Sequence, residues 1–374
     1  ARAKGGLSRL DAGMLDLLRL GTYQLLFMDS VPAYAAIAQT VELAKRGHGI
    51  GASKLANAVL RRVERERGAL DVPAPADPVE ALAQATSHPA WLVQRWLERW
   101  GGDATRALLE ANNAEAPLVL RPVGIGAAEL ARELEGASVH TRPAPLVEDS
   151  LEVTSGVSLA ELGAFRQGRF HLQDPASTLV TRYAHVPEGG TVADLCAAPG
   201  GKSVELARRA GVVLSSDVSW ERLQRVRENV VRLGAARVVP FVADARVPAL
   251  RPVDAVLIDV PCTGTGTFRR HPDARWRLKP SDVAVLGALQ RAILRAAATI
   301  VRPGGVLVYS TCSLEQEEND EPVNAFLAAH PEWTLEPPPE GTVPASALDE
   351  GRLRVLPQVH GTDGAFAARL RRAA

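Results

Sequence analysis

Two cysteines stand where chemistry is easiest to do, at the tips of predicted strands: Cys262 in Leu257-Ile-Asp-Val-Pro-Cys-Thr-Gly264 and Cys312 in Val308-Tyr-Ser-Thr-Cys-Ser313. The 374-residue chain holds only one other cysteine, Cys196, so two thiols at strand ends of one α/β unit call for an explanation. Upstream, Ala193-Asp-Leu-Cys-Ala-Ala-Pro-Gly-Gly-Lys202 reads as a strand running into a Gly-rich turn and a helix. A ligand loop followed by two tip thiols points to attack by sulfur on an unactivated ring carbon. Carbon 5 of a pyrimidine is a poor nucleophile. A thiolate added at carbon 6 pushes electron density onto carbon 5, which can then accept a methyl group, so covalent catalysis divides one hard step into easier ones. The attacking thiol needs a nearby cation or helix end to ionise. Asp259, just before Cys262, is placed to hydrogen-bond the N3/N4 edge of the ring and stabilise the adduct. Cys196 reads as a small buried apolar residue.

The donor site follows from the same strand ends. In doubly wound sheets ligands bind beyond the carboxyl ends of the strands, at the switch in strand order. The loop Cys196, Ala197, Ala198, Pro199, Gly200, Gly201, Lys202 lets the backbone approach a ligand closely and leads into a helix N-terminus. It is neither Gly-x-Gly-x-x-Gly nor a P-loop, which argues against a dinucleotide or a nucleoside triphosphate. Asp217 ends the second strand about 20 residues further on, where an acidic residue accepts hydrogen bonds from ribose hydroxyls. Asp244 ends the third strand and is placed for an adenine amino group, and Asp259 ends the fourth. An adenosine-bearing methyl donor, S-adenosylmethionine, fits this set. Amino-methylating enzymes carry Asp/Asn-Pro-Pro-Tyr/Phe after the fourth strand. Asp259-Val-Pro-Cys262 here argues for methylation of carbon instead.

Beyond Cys262, residues 267–279 carry Arg269, Arg270, Arg275, Arg277 and Lys279 among Phe268 and Trp276. Basic residues interleaved with rings suit phosphate contacts and base stacking on RNA, against the plainer reading of a solvated loop.

The elements that must position these residues alternate regularly. Strands are expected at 191–196, 212–216, 238–242, 254–259 and 305–310, with helices at 202–210, 219–233 and 281–301. That pattern means a doubly wound, mostly parallel α/β sheet, Rossmann-like, with residues 353–356 and 365–370 closing it as a hairpin. Residues 9–67 are helical by apolar spacing, with a third helix N-capped near Ser53. Its far face, Lys54, Arg61, Arg62, Arg65 and Arg67, is either an RNA-facing stripe or a solvated face paired with Glu64 and Glu66. A Pro/Ala linker at 71–78 precedes a helix whose Trp91, Trp96 and Trp100 read as core, and 117–170 reads as a small α+β insert. The division expected is an all-α domain over 1–75, a linking region over 76–170 and a catalytic domain over 171–374.

Composition sets bounds. Lys+Arg and Asp+Glu both number 43, so bulk charge gives no support to nucleic-acid binding and any patch must be local. Three cysteines make no disulfide framework and fit a reducing cytoplasm. No apolar run reaches membrane-spanning length, and no metal or obligate protein partner is expected. The start, Ala1-Arg-Ala-Lys-Gly-Gly6 without Met, reads as an incomplete N-terminus.

At these residues the chain resembles the Nol1/Nop2/Sun family of RNA cytosine-C5 methyltransferases, most of all its bacterial Sun/Fmu branch. The matching segments are Gln173-Asp-Pro-Ala-Ser177, Asp194–Lys202, Asp217-Val-Ser with Arg222-Leu223, Asp259–Gly264, and Gly304–Ser313 with Glu318-Asn319. Leu18–Leu25, Val41–Lys45 and Asn57–Arg61 resemble the RNA-binding factor NusB. The resemblance implies that Cys312 is the nucleophile and Cys262 assists product release. It implies that Cys196–Lys202, Asp217, Arg222, Asp244 and Asp259 line the S-adenosylmethionine site. Small-subunit (16S) ribosomal RNA is the substrate it implies; the alternatives are a transfer-RNA m5C methyltransferase and a non-catalytic RNA-binding assembly factor. Leu120-Arg-Pro-Val-Gly124 and Asp363-Gly-Ala-Phe366 depart from the family's Arg-x-Asn and Asp-Gly-Phe-Phe.

Overall fold

The computed structural model describes residues 10–69, 74–156 and 158–374; the first nine residues and the start of the expected linker, 71–73, lie outside that description. The chain divides into two compact units, after Pro75.

The first unit is built on α1 (Ala12–Phe27) and α2 (Ala33–Arg65). Asp11 caps α1, its carboxylate accepting from the Met14 amide at 3.0 Å. Met14, Leu18 and Leu25 recur at helical spacing and bury against Ile37, Ala44, Leu60 and Val63. The break expected before a third helix is present but lies at Gly49 (φ 85°), a backbone conformation that glycine adopts without strain. Ser53 is therefore no N-cap: it lies inside the helix and its hydroxyl donates to the Ile50 carbonyl at 2.8 Å. On the basic face Arg61 pairs with Glu64 at 3.3 Å and Arg62 with Glu66 at 2.8 Å, as the solvated reading requires.

The second unit starts with α3 (Pro78–Thr86) and α4 (Ala90–Asn113). Trp96 is fully buried, with Trp91 and Trp100 packed around it, so the tryptophans are core. A small antiparallel sheet follows, β1 (Leu118–Pro122), β2 (Thr141–Ala144), β3 (Val147–Val153) and β4 (Phe170–Leu172), in the order β2-β3-β1-β4. Helices α5 (Ala127–Glu135) and α6 (Gly163–Arg166) cover it.

The large sheet is assembled from β5 (Thr191–Asp194), β6 (Val212–Asp217), β7 (Val238–Val242), β8 (Val253–Asp259), β9 (Val301–Thr311), β10 (Trp333–Leu335), β11 (Leu348–Asp349), β12 (Arg352–Val355) and β13 (Ala365–Arg372). Its order is β11-β12-β13-β9-β8-β5-β6-β7, with β10 on β13. Strands β7 to β9 run parallel through β6, β5 and β8, and β13 joins β9 antiparallel. Connecting helices are α7 (Pro175–Ala184), α8 (Gly201–Leu206), α9 (Trp220–Arg232), α10 (Ala274–Arg277), α11 (Pro280–Thr299), α12 (Asp320–Ala329) and α13 (Pro357–His360). The parallel strands are near-continuous apolar runs because both faces are covered. Chain order moves outward from β5 to β7 and then returns to β8 on the other side of β5. The gap between β5 and β8 is thus the switch point, where a ligand site is expected. Residues 352–355 and 365–372 do pair, but β13 also inserts against β9.

Candidate active site

A cavity of about 420 Å³ opens at that switch point. Cys196, Ala197, Ala198, Pro199, Gly201 and Lys202 line it. Gly200 is not part of the lining; it supplies the turn, at φ 102°, with its amide donating to the Ala197 carbonyl at 2.7 Å. The helix that follows, α8, spans only Gly201–Leu206, shorter than the expected 202–210. Cys196 faces a buried, acidic surrounding, and burial pushes its thiol well up, with Asp194, Asp259 and Asp217 adding to the effect. Its thiol is thereby held from ionising, and the side chain packs against the core of the sheet.

The carboxylates around the cavity differ in what they are free to do. Asp217 ends β6 beneath the loop, accepting from the Ser219 amide at 3.0 Å and the Ala198 amide at 3.4 Å. Arg222 reaches back to it at 3.5 Å and to the Ala198 carbonyl at 3.4 Å. Asp244 follows β7, yet it does not line the cavity. Its carboxylate is held by Arg246, Nη2 at 2.6 Å, so in this structure its hydrogen-bonding capacity is directed at a near neighbour. Asp194, which the reading of the sequence did not single out as a site residue, lines the cavity with no solvent exposure. Ser203 Oγ donates to its Oδ2 at 2.6 Å, while Oδ1 has no hydrogen-bond partner among the described residues. Burial pushes this carboxyl up to about 7, against the opposing Ser203 bond. Asp217, buried beneath the loop, and Arg222 lie outside the cavity lining, as Asp244 does. The orphaned buried oxygen of Asp194, the glycine loop and the strand-end Asp259 on the cavity fit a ligand that carries positive charge and hydroxyl donors. S-adenosylmethionine has both.

At the reaction end, β8 and β9 run side by side in register, Asp259 opposite Ser310. The chain continues three residues past Asp259 to Cys262 and two past Ser310 to Cys312. The two sulfurs lie 3.3 Å apart. The loop after Cys262 is pressed onto the Cys312 backbone: the Gly266 amide donates to the Cys312 carbonyl at 2.9 Å, and a Cβ at Gly266 would meet that oxygen at 2.8 Å. Asp259 lines the cavity and accepts from Ser310 Oγ and from Lys202 Nζ, each at 2.8 Å. Burial alone would discharge Lys202, but the Asp259 carboxylate holds its ammonium well charged, and Cys312 also acts on it. Lys202 thus remains a cation bound to Asp259 on the cavity, within electrostatic reach of Cys312, a role its place in the loop did not disclose. Neither cysteine is among the residues lining the cavity; Asp259 and Lys202 connect the two places. The Cys262 thiol is pushed well above its usual range by its bond to Cys312 and by burial, with the charges of Cys312, Glu318 and Asp259 contributing.

The basic segment needs correction. Arg269 is almost wholly buried, its guanidinium bound to Asp363 at 2.8 Å and Asp174 at 3.2 Å. Arg270 meets the same two carboxylates at 2.7 Å each and donates to the Pro117 carbonyl at 3.0 Å. Arg275 is buried and donates to Asn113 Oδ1 at 2.7 Å and to the Asn112 carbonyl at 2.9 Å. These three arginines lock the loop after Cys262 onto α4, α7 and residue 363. Their partners lie far away in sequence, so the spacing could not show them. Phe268 is likewise core. Of this segment's proposed contacts, Trp276, Arg277 and Lys279 are exposed as RNA contacts require, and Arg277 pairs with exposed Asp273 at 2.8 Å. Arg270 and its neighbour His271 reach the cavity rim.

A doubly wound sheet with this loop, acidic strand ends and two tip thiols defines an S-adenosylmethionine-dependent methyltransferase. The comparisons with known proteins make this more particular. Residues 184–371 match the family described as 16S rRNA methyltransferase RsmB/F, residues 2–65 the NusB family, and residues 88–160 the ferredoxin-like domain of RsmF/B-like methyltransferases. The chain is 36% identical over 372 residues to the probable ribosomal RNA small subunit methyltransferase B of Bacillus subtilis (strain 168), covering 96% of this chain and 83% of the relative. It is 37% identical to ribosomal RNA small subunit methyltransferase B of Vibrio cholerae, with 94% and 80% covered. The crystal structure of PH0851 superimposes with a TM-score of 0.85 at 30% identity, covering 96% of this chain and 82% of that one. A methyltransferase homolog protein from Pyrococcus horikoshii superimposes at 0.67 and 27% identity, covering 79% and 99%. The chain belongs to the RsmB/F family of methyltransferases and carries a NusB-like helical domain ahead of its Rossmann-like catalytic fold. No helix among the described residues is long and apolar enough to cross a membrane.

Two outcomes follow from the charges. Asp194 lies buried behind the loop, so its ionised form favours a cation in the cavity through its field, and burial sets its protonation at about 7. Calorimetric affinity for S-adenosylmethionine is expected to fall as pH drops from 8 to 6, and Asp194→Asn to flatten that profile. Removing Arg269 leaves the buried Asp174 and Asp363 to Arg270 alone, so Arg269→Ala is expected to cost roughly 2 kcal/mol in urea unfolding, the worth of the lost charge-assisted hydrogen bonds. Arg277→Ala leaves the unfolding midpoint where it was.

Proposed function

We propose that the enzyme methylates carbon 5 of a cytosine in small-subunit (16S) ribosomal RNA, in the cytoplasm, through a covalent bond between Cys312 and carbon 6. The observation that carries this reading is the pair of sulfurs 3.3 Å apart at the tips of β8 and β9, next to the Asp259–Lys202 pair that lines the donor cavity. Amino methylation needs no second thiol and no nucleophile.

Bound S-adenosylmethionine supplies an electrophilic methyl group; the chain's residues do the rest. The Cys312 sulfur adds as a thiolate to carbon 6, and the electron pair of the carbon 5–carbon 6 bond moves to carbon 5. Asp259 accepts from the amino edge of the base. Once carbon 5 carries the methyl group, its proton leaves to a base, the carbon 5–carbon 6 double bond reforms and the Cys312 sulfur departs. Cys262, held protonated by its surroundings, assists that departure without competing as nucleophile. The base must leave its stack to expose carbon 6 to Cys312. The exposed Trp276, Arg277 and Lys279 serve the RNA. The names of the Bacillus and Vibrio relatives support ribosomal RNA as the substrate.

Cys312→Ala is expected to abolish methyl incorporation into small-subunit RNA with S-adenosylmethionine affinity unchanged, and turnover by that variant contradicts the mechanism. Cys262→Ala is expected to accumulate a protein–RNA adduct, seen as a shifted band on a denaturing gel.

A further inference from the structure

Glu318 is the most completely enclosed carboxylate near the thiols that the chemistry above leaves without a task. It has no solvent exposure, follows β9 by seven residues and ends the short turn Gln316–Glu318. Four donors converge on it. Oε1 accepts from the Thr263 amide at 2.9 Å and from Gln290 Nε2 at 2.8 Å. Oε2 accepts from the hydroxyls of Thr263 and Ser313. Those hydroxyls also meet each other at 3.1 Å. Thr263 directly follows Cys262, and Ser313 directly follows Cys312. One side chain therefore fastens both thiol-bearing loops to the same point.

Its surroundings make the point rigid. Tyr309, on β9, donates its hydroxyl to the Glu318 main-chain carbonyl at 2.5 Å. Gln290 of α11 donates to the Pro261 carbonyl at 2.9 Å as well as to Glu318. Asn319 brackets Cys312 from both sides, accepting from the Thr311 hydroxyl at 2.5 Å and donating to the Ser313 carbonyl at 2.9 Å. A carboxylate removed from water is tolerated when donors fill its lone pairs, and here they do. Packing alone would not require a charge at this position.

We infer that Glu318 is a positioning residue for the reaction, the clamp that holds the Cys262 and Cys312 sulfurs within bonding reach of one another and of the same ring. This rests on the two-thiol reading above. The clamp acts on the loops rather than on substrate, since Glu318 does not line the cavity. Its negative charge also bears on Cys262, as one of the groups that keep that thiol protonated. Two consequences separate a clamp from general support of the fold. The loss falls on the chemical step and not on donor binding. It also appears as a change in the distance between two sulfurs.

The experiment treats the full chain with dibromobimane, which becomes fluorescent when it bridges two neighbouring thiols. The unaltered protein is expected to give a bridged Cys262–Cys312 peptide by mass spectrometry. Glu318→Ala is expected to lower the bridging yield about tenfold or more and the methyl-transfer kcat by at least about a hundredfold, while the S-adenosylmethionine dissociation constant stays within about threefold. Glu318→Gln, which keeps the size and part of the bonding, is expected to restore bridging in large part. Should Glu318→Ala fail to fold, Ser313→Ala and Thr263→Val, which each remove one donor, are expected to lower bridging and kcat together. Bridging and kcat that both survive Glu318→Ala overturn the clamp, as does a loss of donor affinity that matches the loss of kcat. An unaltered protein that bridges its thiols but methylates no cytosine defeats the substrate reading and leaves the clamp to be judged by bridging alone.

Discussion

The parallel pairing of β8 with β9 is the constraint on which the rest depends. With Asp259 opposite Ser310, the two chains leave the sheet side by side and their next few residues form one surface. Neighbouring strands run under 5 Å apart, so thiols two and three residues past the last pair meet with little loop between them. Side chains alternate along a strand, and a slip by one residue would exchange the faces. Tyr309 would leave its buried place against Phe366, and Ser310 would lose Asp259. The apolar faces of the sheet thus hold the chemistry in register, although none of those residues touches a ligand.

Around that pair the molecule spends its charges inward. Asp259 is matched by Lys202, Glu318 by four neutral donors, and Asp174 and Asp363 by Arg269 and Arg270. Buried charges are tolerable only when paired and hydrogen-bonded, so each match fixes a loop as firmly as a packed side chain would. Arg270 stays charged despite its burial because Asp363 and Asp174 face it, and Asp363 is itself raised, by burial and then by Asp174. The result is a cavity rim built from the ends of four separate segments, at 174, 202, 259–270 and 363. Asp363 belongs to the Asp-Gly-Ala-Phe segment. Its Gly364 amide donates to the Gly266 carbonyl at 2.8 Å, tying β13 to the loop beyond Cys262.

Much of this was legible in the sequence, for identifiable reasons. Parallel strands covered on both faces are continuous apolar runs bounded by Gly and Asp, so Val253–Asp259 and Val301–Thr311 could be placed to within a few residues. The turn at Cys196–Lys202 announces itself through its glycines. What could not be read is whatever depends on partners distant in the chain. Arg269, Arg270, Arg275 and Phe268 share one basic, aromatic stretch with Trp276 and Arg277, and local spacing cannot tell the buried from the exposed. Asp174 lies some 95 residues from the arginines it binds and Glu318 55 from Thr263. The one available signal for Glu318 was an acidic residue next to an asparagine just after the Thr-Cys-Ser tip. Gly49 rather than Ser53 marks the helix break because positive φ is decided by the backbone, not by capping chemistry.

The central claim is that Cys312, and not its neighbour, bonds to the pyrimidine. Small-subunit RNA carrying 5-fluorocytosine in place of cytosine offers a direct test, because fluorine at carbon 5 cannot leave as a proton and the adduct is held. After incubation with S-adenosylmethionine and digestion, mass spectrometry is predicted to find a methylated fluoropyrimidine on the peptide containing Cys312. The same nucleotide on the peptide containing Cys262, or on neither, contradicts the account.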